Sequence, residues 1–328
     1  MNNKETAQKI VDRMIETIEA GGMLPWVKPW NQHTGNLVRI EDGETVVSIP
    51  VNHWSRSGKP YQGVNILLLN LYGKRGEMIT FNQCKAEGGR VKKGAKSATI
   101  IYWNMVQKTE TAEDEDGNTI TRKVTIPVLK TYNVFSVEDD CEGLKTKHHP
   151  EPVEIRMPKW HYEPVDGEGI DESSYNPAAE AVIADYLSRA NGLTLERNGI
   201  SDRAFYSPTF HGVTVPSISQ FEHVEEFYST LFHELGHSTG HKSLLDRFSG
   251  KDENAAFGSE SYSREELVAE ITSATILNAL GIESGNSFRN SAAYVKSWAS
   301  HIKDDPMMFV TAAGRADKAV ALIMNTAA

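Results

Sequence analysis

The stretch "LFHELGHSTGH", residues 231–241, places one glutamate and three histidines within eleven positions. His233 and His237 stand four apart, so on a helix both imidazoles leave the same face one turn from each other, close enough to ligate one ion. Glu234 then projects beside that ion, where a carboxylate can take a proton from metal-activated water, the arrangement that H-E-x-x-H hydrolases need. A solvated polar helix face would tolerate the same residue types. Packing alone, however, does not call for a glutamate between two histidines at this spacing.

A catalytic zinc site of this kind keeps three protein ligands and one open position, so a third ligand is expected downstream. A histidine ten positions after His233 would complete the longer H-E-x-x-H-x-x-G-x-x-H pattern; position 240 is glycine, but position 243 is serine. The next candidate lies in "YSREELVAEITSATILNALG", read as a helix beginning near Ser263. There Glu266 and Glu270 stand one turn apart beside the apolar stripe of Leu267, Ile271 and Ala274. Glu266 is the first choice as metal ligand, with Glu270 accepting the second N–H of a ligand histidine and fixing its tautomer. Three alternatives stay open: a capping box in which Ser263 caps the helix and Glu266 bonds back to it, an exchange of roles between Glu266 and Glu270, and His241 as ligand. The strand "HGVTVPS", residues 211–217, is the expected edge strand that would hold an extended substrate.

Upstream, "SQFEHVEEFYSTLFHELGHSTGH" reads as one long helix and "PAAEAVIADYLSRANG" as another, ended by Gly192. Residues 3–20 form an amphipathic helix stopped by "AGG", and "SATIIYWNMVQ" with "KVTIPVLKTYNVF" form a hairpin whose acidic tip spans Glu113 to Asp116. The Pro-, Gly- and acid-rich run after residue 145 lacks periodicity. The expected organisation is therefore α+β in two domains, a mixed α/β domain over 1–145 and a helix-rich domain over 176–328, joined by a linker over 146–175.

Charge separates the halves further. Residues 1–100 carry 14 basic and 9 acidic residues while the remainder carries 20 and 35, so a chain of net charge -10 has a positive front end. Lys85, Arg90, Lys92, Lys93 and Lys96 surround Gly88, Gly89 and Gly94, a composition suited to following phosphates. Trp26, Trp30, Trp54, Tyr61, Phe81, Tyr102 and Trp103 lie around this loop; cations interleaved with aromatics are how unpaired bases are gripped, although core packing uses the same aromatics. Trp54 and Tyr61 are the aromatic candidates for DNA contact. Cys84 and Cys141 are read as buried, idle thiols rather than a disulfide or a thiolate metal site. No apolar run approaches a membrane span and the first residues do not resemble an export signal, so a cytoplasmic location is expected, with no membrane partner.

Taken in order, "PWVKPW", "SGKPYQGVN", "TFNQCKAEGGRVKKGAKSATIIYW", "KTYNVFSVEDDCEGL", "FYSTLFHELGHSTGH" and "YSREELVAEI" resemble the ArdC family of plasmid antirestriction proteins along nearly the whole chain. That resemblance implies an N-terminal single-stranded DNA-binding domain, a C-terminal zincin metallopeptidase domain and protection of incoming conjugative DNA from host restriction. It implies His233 and His237 as ligands, Glu234 as the catalytic group and Glu266 as the third ligand, in an element like the E-x-x-x-E of other glutamate-type zincins. One zinc ion is the expected cofactor, with manganese or cobalt as substitutes. The expected partners are single-stranded DNA and a protein substrate such as a host restriction component. Two other readings use the same residues: a single-strand-dependent protease of SprT-like type acting on DNA-bound proteins, and a DNA-covering protein whose metal site is inert.

Overall fold

The computed structural model describes residues 3–19, 38–113, 119–158, 175–197, 201–248, 260–282 and 302–326, together with residues 199 and 300. Trp26, Trp30 and the hairpin tip beyond Glu113 lie outside them.

The first helix, α1 (Asn3–Glu19), follows its sequence pattern and buries Ala7, Ile10, Val11 and Met14. Two strands follow, β1 (Val38–Glu41) and β2 (Glu44–Ile49), joined through Asp42 and Gly43, both at positive φ. β3 (His53–Ser55), α2 (Val64–Leu71), β4 (Gly76–Thr80), α3 (Phe81–Ala86) and β5 (Arg90–Val91) lead to the expected hairpin, β6 (Ala98–Glu113) with β7 (Thr119–Ser136). β3, β4, β7 and β6 form one four-stranded sheet in that order. Its β6 edge is closed locally by Asn65 of α2, whose side chain both donates to the carbonyl and accepts from the N–H of Ile101, at 2.9 and 2.8 Å. A side-chain amide here imitates a neighbouring strand.

The short helix α4 (Val137–Asp140) and β8 (Cys141–Glu142) come next, and β8 pairs with β5. The segment read as a linker then contains a strand, β9 (Val153–Pro158), which completes a sheet in the order β1-β2-β9. Val47 and Ile155 of that sheet are buried in the core of the C-terminal half. A six-residue strand set in a Pro- and acid-rich run is hard to read from sequence because its partner lies about a hundred residues away.

The C-terminal half begins with α5 (Pro177–Arg189), started by Pro177 and by Asn176, whose side chain accepts from the N–H groups of Ala178 and Ala179 at 3.0 and 3.1 Å. A small sheet follows, of β10 (Thr194–Glu196), β11 (Phe205–Ser207) and β12 (Gly212–Thr214). Its order is β10-β12-β11, so the strand inside "HGVTVPS" is central and cannot serve as the expected free edge; among the described residues β10 and β11 are the edges. Helices α6 (Val224–Ser238), α7 (Glu260–Ala279) and α8 (Pro306–Ile323) complete the fold. α6 is shorter than its sequence reading, because residues 218–220 form a separate turn of tighter helix. α7 starts earlier, at Glu260, which places Ser263 inside the helix and removes the capping box that would have occupied Glu266.

The architecture is two-domain, with helices dominating the second half. Its cores are nevertheless shared: α1, α2, Ile101 and Leu129 of the hairpin, Leu267, Val268 and Ile271 of α7, and the alanine-rich face of α8 form one buried cluster. Alanines 312, 313 and 316 let the helices approach closely. A polar link crosses the same boundary, where the Gly63 N–H donates to Asp317 Oδ1 at 3.1 Å. Cys84 and Cys141, distant in sequence, are free, buried neighbours with their sulfurs 3.8 Å apart. No helix among the described residues is long and apolar enough to cross a membrane.

Candidate metal centre

α6 is buried on most of its circumference. Phe227, Tyr228, Leu231, Phe232 and Leu235 fill the core, while His233 and His237 leave the side that faces α7. The two helices can meet there because of Gly236: a Cβ on it would come within 3.2 Å of the Ala269 Cα. That close crossing puts three carboxylates of α7, Glu265, Glu266 and Glu270, against two histidines of α6.

Glu266 Oε2 lies 3.3 Å from His233 Nε2, Glu266 Oε1 lies 3.4 Å from His237 Nε2, and the two Nε2 atoms are 3.1 Å apart. Among the described residues this trio is the one group of potential ligands whose donor atoms converge, all within 4.8 Å. Charge-assisted hydrogen bonds run shorter, at about 2.7 to 2.9 Å. Donor atoms of a tetrahedral set with bonds of about 2.0 to 2.1 Å stand about 3.3 to 3.4 Å from one another; the two histidine–glutamate separations here match it and the histidine–histidine one, at 3.1 Å, is slightly shorter. The donor set of two imidazoles and one carboxylate suits a divalent ion of the zinc or manganese kind.

The remaining ring nitrogens also have acidic neighbours. Glu270 Oε1 is 3.2 Å from His233 Nδ1, though outside the line of a full hydrogen bond, and Glu265 Oε1 is 3.4 Å from His237 Nδ1. Glu265 was not legible as a participant in the sequence, where it stood beside the better-placed Glu266. It is itself held by Arg247, which donates to both its oxygens at 2.6 and 3.0 Å, to Thr239 Oγ1 at 2.7 Å and to the Gly236 carbonyl at 2.9 Å. Arg247 follows α6 in the chain and no spacing rule points to it. Glu234 is buried, 8% exposed.

Electrostatics carry the same signature. Burial pushes the His237 imidazole toward the neutral form, but its hydrogen bonds to the Glu265 and Glu266 carboxylates outweigh it and raise its pKa to about 10. His233 is raised in the same way by Glu266 and Glu270 against desolvation. Desolvation would raise Glu266, yet the two imidazoles hold it well below the usual carboxylate range. Three carboxylates with two imidazoles and a single guanidinium form an environment that favours positive charge at its centre, and a divalent cation supplies it.

His241 is placed elsewhere. It stacks on His211 with ring centroids 3.9 Å apart, and its Nδ1 lies 2.7 Å from Ser243 Oγ. Gly240, just before it, makes room for the Phe248 ring, which a Cβ would meet at 2.7 Å.

The DNA candidates divide into three groups. Lys85, Lys93 and Lys96 are exposed. Arg90 is paired with Glu142 at 2.5 Å, and Lys92 Nζ donates to the Asp139 carbonyl at 2.8 Å, so both are engaged within the fold. The glycines of this loop have structural duties as well: Gly88 and Gly94 sit at φ of 80° and 85°, and Gly89 abuts Leu144, which a Cβ would meet at 2.4 Å. Trp54 is 9% exposed and packs near His149, so its ring is not displayed to solvent. Tyr61 is half-buried against the small cluster of Leu69, Met78, Ala98, Ile100 and Val134.

Two family models match the chain, the N-terminal domain of anti-restriction factor ArdC over residues 4–135 and a zincin-like metallopeptidase domain over residues 182–315. Two Escherichia coli proteins named DNA primase TraC are 33% and 32% identical over 94% and 95% of this chain, which spans only 19% and 26% of their own lengths. The uncharacterized protein y4eC of Sinorhizobium fredii is 27% identical, covering 95% of this chain and 89% of its own. Among solved structures, the metal-free antirestriction ArdC protein from the R388 plasmid is 31% identical with a TM-score of 0.61, covering 98% of this chain and 99% of that one. Its Mn(II)-bound form is similar at a TM-score of 0.60 and 31% identity, over 97% of both chains.

Proposed function

Because this chain belongs to the family of ArdC antirestriction proteins, we propose that it binds single-stranded DNA through its N-terminal half, hydrolyses peptide bonds at the α6–α7 site, and so protects incoming conjugative DNA. The observation that carries the enzymatic part is the convergence of His233, His237 and Glu266 at the edge lengths of a ligand tetrahedron. His233, His237 and Glu266 hold the ion, zinc by donor type, with manganese or cobalt able to replace it. A divalent cation supplies Lewis-acid chemistry there, activating water and polarising a carbonyl. Glu234 takes a proton from the attacking water and returns it to the leaving amine. Glu270 and Glu265 hold the imidazoles in the tautomers that present Nε2. The exposed Lys85, Lys93 and Lys96 attract the phosphates. Protein substrates are those that incoming DNA meets, such as a host restriction component.

Cleavage of an unfolded protein by the wild type, by Glu234→Gln and by a chelated sample, with and without single-stranded DNA, tests this. The expected result is metal-dependent cleavage reduced at least about a hundredfold in Glu234→Gln, which retains its metal. A metal-loaded wild type that binds DNA and cleaves nothing would sink the peptidase half. Cleavage that rises with added single strands would favour the single-strand-dependent protease form.

A further inference from the structure

The sheet of the N-terminal half has two unlike faces. On one, Ile101 and Leu129 are 5% and 3% exposed and join the core shared with α1 and α8. On the other, Ala98, Ile100 and Val134 are buried under α2 and Tyr61, but among the described residues the cover ends there. The next residues out on that face are Tyr102 and Tyr132, 58% and 44% exposed.

Their placement follows from the register. Tyr102 stands opposite Lys130 and Tyr132 opposite Ile100, so all four share a face and the two tyrosines are diagonal neighbours on adjacent strands. Diagonal neighbours are about 7 to 8 Å apart, a separation at which successive unstacked bases can rest one on each ring. Tyr61, packed on the cluster that contains Ile100, continues the aromatic surface inward. Lys108, exposed and opposite Val124, lies further out on the same face; beyond it Glu110 and Arg122 oppose each other in the ladder.

Resting on the single-strand reading above, we propose that this open face is where bases are gripped: Tyr102 and Tyr132 stack on consecutive bases, Tyr61 borders them, and Lys130 contacts the intervening phosphate. Charge complementarity selects the occupant, since aromatic rings flanked by lysines match a strand with unpaired bases and an anionic backbone. A duplex hides its base faces from such a platform. The glycine-rich loop then has a separate part, in which Lys85, Lys93 and Lys96 add sequence-independent attraction without touching bases.

The test is the affinity of the full chain for a fluorescent oligothymidylate, measured over a range of salt. Tyr102→Ala and Tyr132→Ala should each bind about 5-fold to 140-fold more weakly, the loss of one stacked base, with the salt slope unchanged. Tyr102→Phe and Tyr132→Trp keep the ring and should bind like the wild type. Lys130→Ala should shrink the salt slope by about 0.7, the signature of one phosphate contact. Melting temperatures near the wild-type value show that these exposed substitutions leave the fold intact. Wild-type affinity in the double variant Tyr102→Ala, Tyr132→Ala would overturn this site while leaving single-strand binding to be carried by another surface. A wild type that does not bind the oligothymidylate would overturn the single-strand reading and this site with it.

Discussion

Glu265 and Glu266 are neighbours in the chain with different work, and the difference comes from which way each points on α7. Glu266 reaches both Nε2 atoms, whereas Glu265 meets the back of His237 and the guanidinium of Arg247. Removing Glu270 should therefore loosen one imidazole: Glu270→Gln is expected to weaken zinc or manganese affinity about 10- to 100-fold, read by calorimetric titration, with little change in the stability of the metal-free protein. Glu265→Ala should do more damage, because Arg247 is only 5% exposed and would lose its counter-charge. Breaking a buried pair from one side costs about 3 kcal/mol, so that variant should fall in melting temperature as well as in metal affinity. Equal stability of the two variants would show that Arg247 finds another partner.

At the scale of elements, the metal centre is a helix crossing, and Gly236 sets how close it is. Replacing a mid-helix glycine with alanine favours the helix by up to about 1 kcal/mol. Overpacking a tight contact costs about 1 to 3 kcal/mol, and here the neighbour is backbone, the Ala269 Cα at 3.2 Å. The cost should win, so Gly236→Ala is expected to destabilise the protein and weaken metal binding by moving α7. Gly314 of α8 provides the contrast: a Cβ there meets nothing within 4 Å, and Gly314→Ala should stabilise by about 0.5 to 1 kcal/mol in chemical denaturation.

The sheet end of the N-terminal half is held by ion pairs around Arg56. Glu77, fully buried, accepts from Arg56 and from the N–H groups of Lys147 and His148, at 2.7 and 3.0 Å for the latter two. Glu87 accepts from Arg56 and pairs with Lys147 at 2.9 Å. Those bonds hold the Glu87 carboxylate at about 2, below its ordinary value of 4.5. A depressed carboxylate pKa contributes stability above the unfolded value and loses it as pH falls through the folded one. Melting temperature should thus decline as pH is lowered from about 4.5 toward 2, and Glu87→Gln should flatten part of that decline.

Across the molecule, the shared cluster of α1, the hairpin root, α7 and α8 should make the two halves unfold together. Tryptophan fluorescence and helical circular dichroism should report a single coincident unfolding transition, whereas domains with separate cores would give two. Saturating divalent metal should raise that transition for the entire chain, by about 2.7 kcal/mol at a hundred times the dissociation constant. A rise confined to one probe would show that the cores are energetically separate.

Much of this was readable in the sequence, for a physical reason. Local periodicity determined α1, α5, the long hairpin and the helix bearing His233 and His237, because a helix or a hairpin declares itself through residues a few positions apart. The same locality made Glu266 and Glu270 visible as a pair one turn apart. Tertiary structure alone decided the rest, where partners are distant in the chain. The close crossing at Gly236 brings Glu265 to His237, and Arg247 folds back to hold it. β9 finds β2 across about a hundred residues and turns a linker into part of the C-terminal core. β12 lies between its neighbours rather than at the edge, a matter of sheet order that no strand encodes in itself. Burial likewise withdrew Trp54 from solvent and left Tyr102 and Tyr132 displayed, because an aromatic residue favours core and surface platform alike until the packing around it is known.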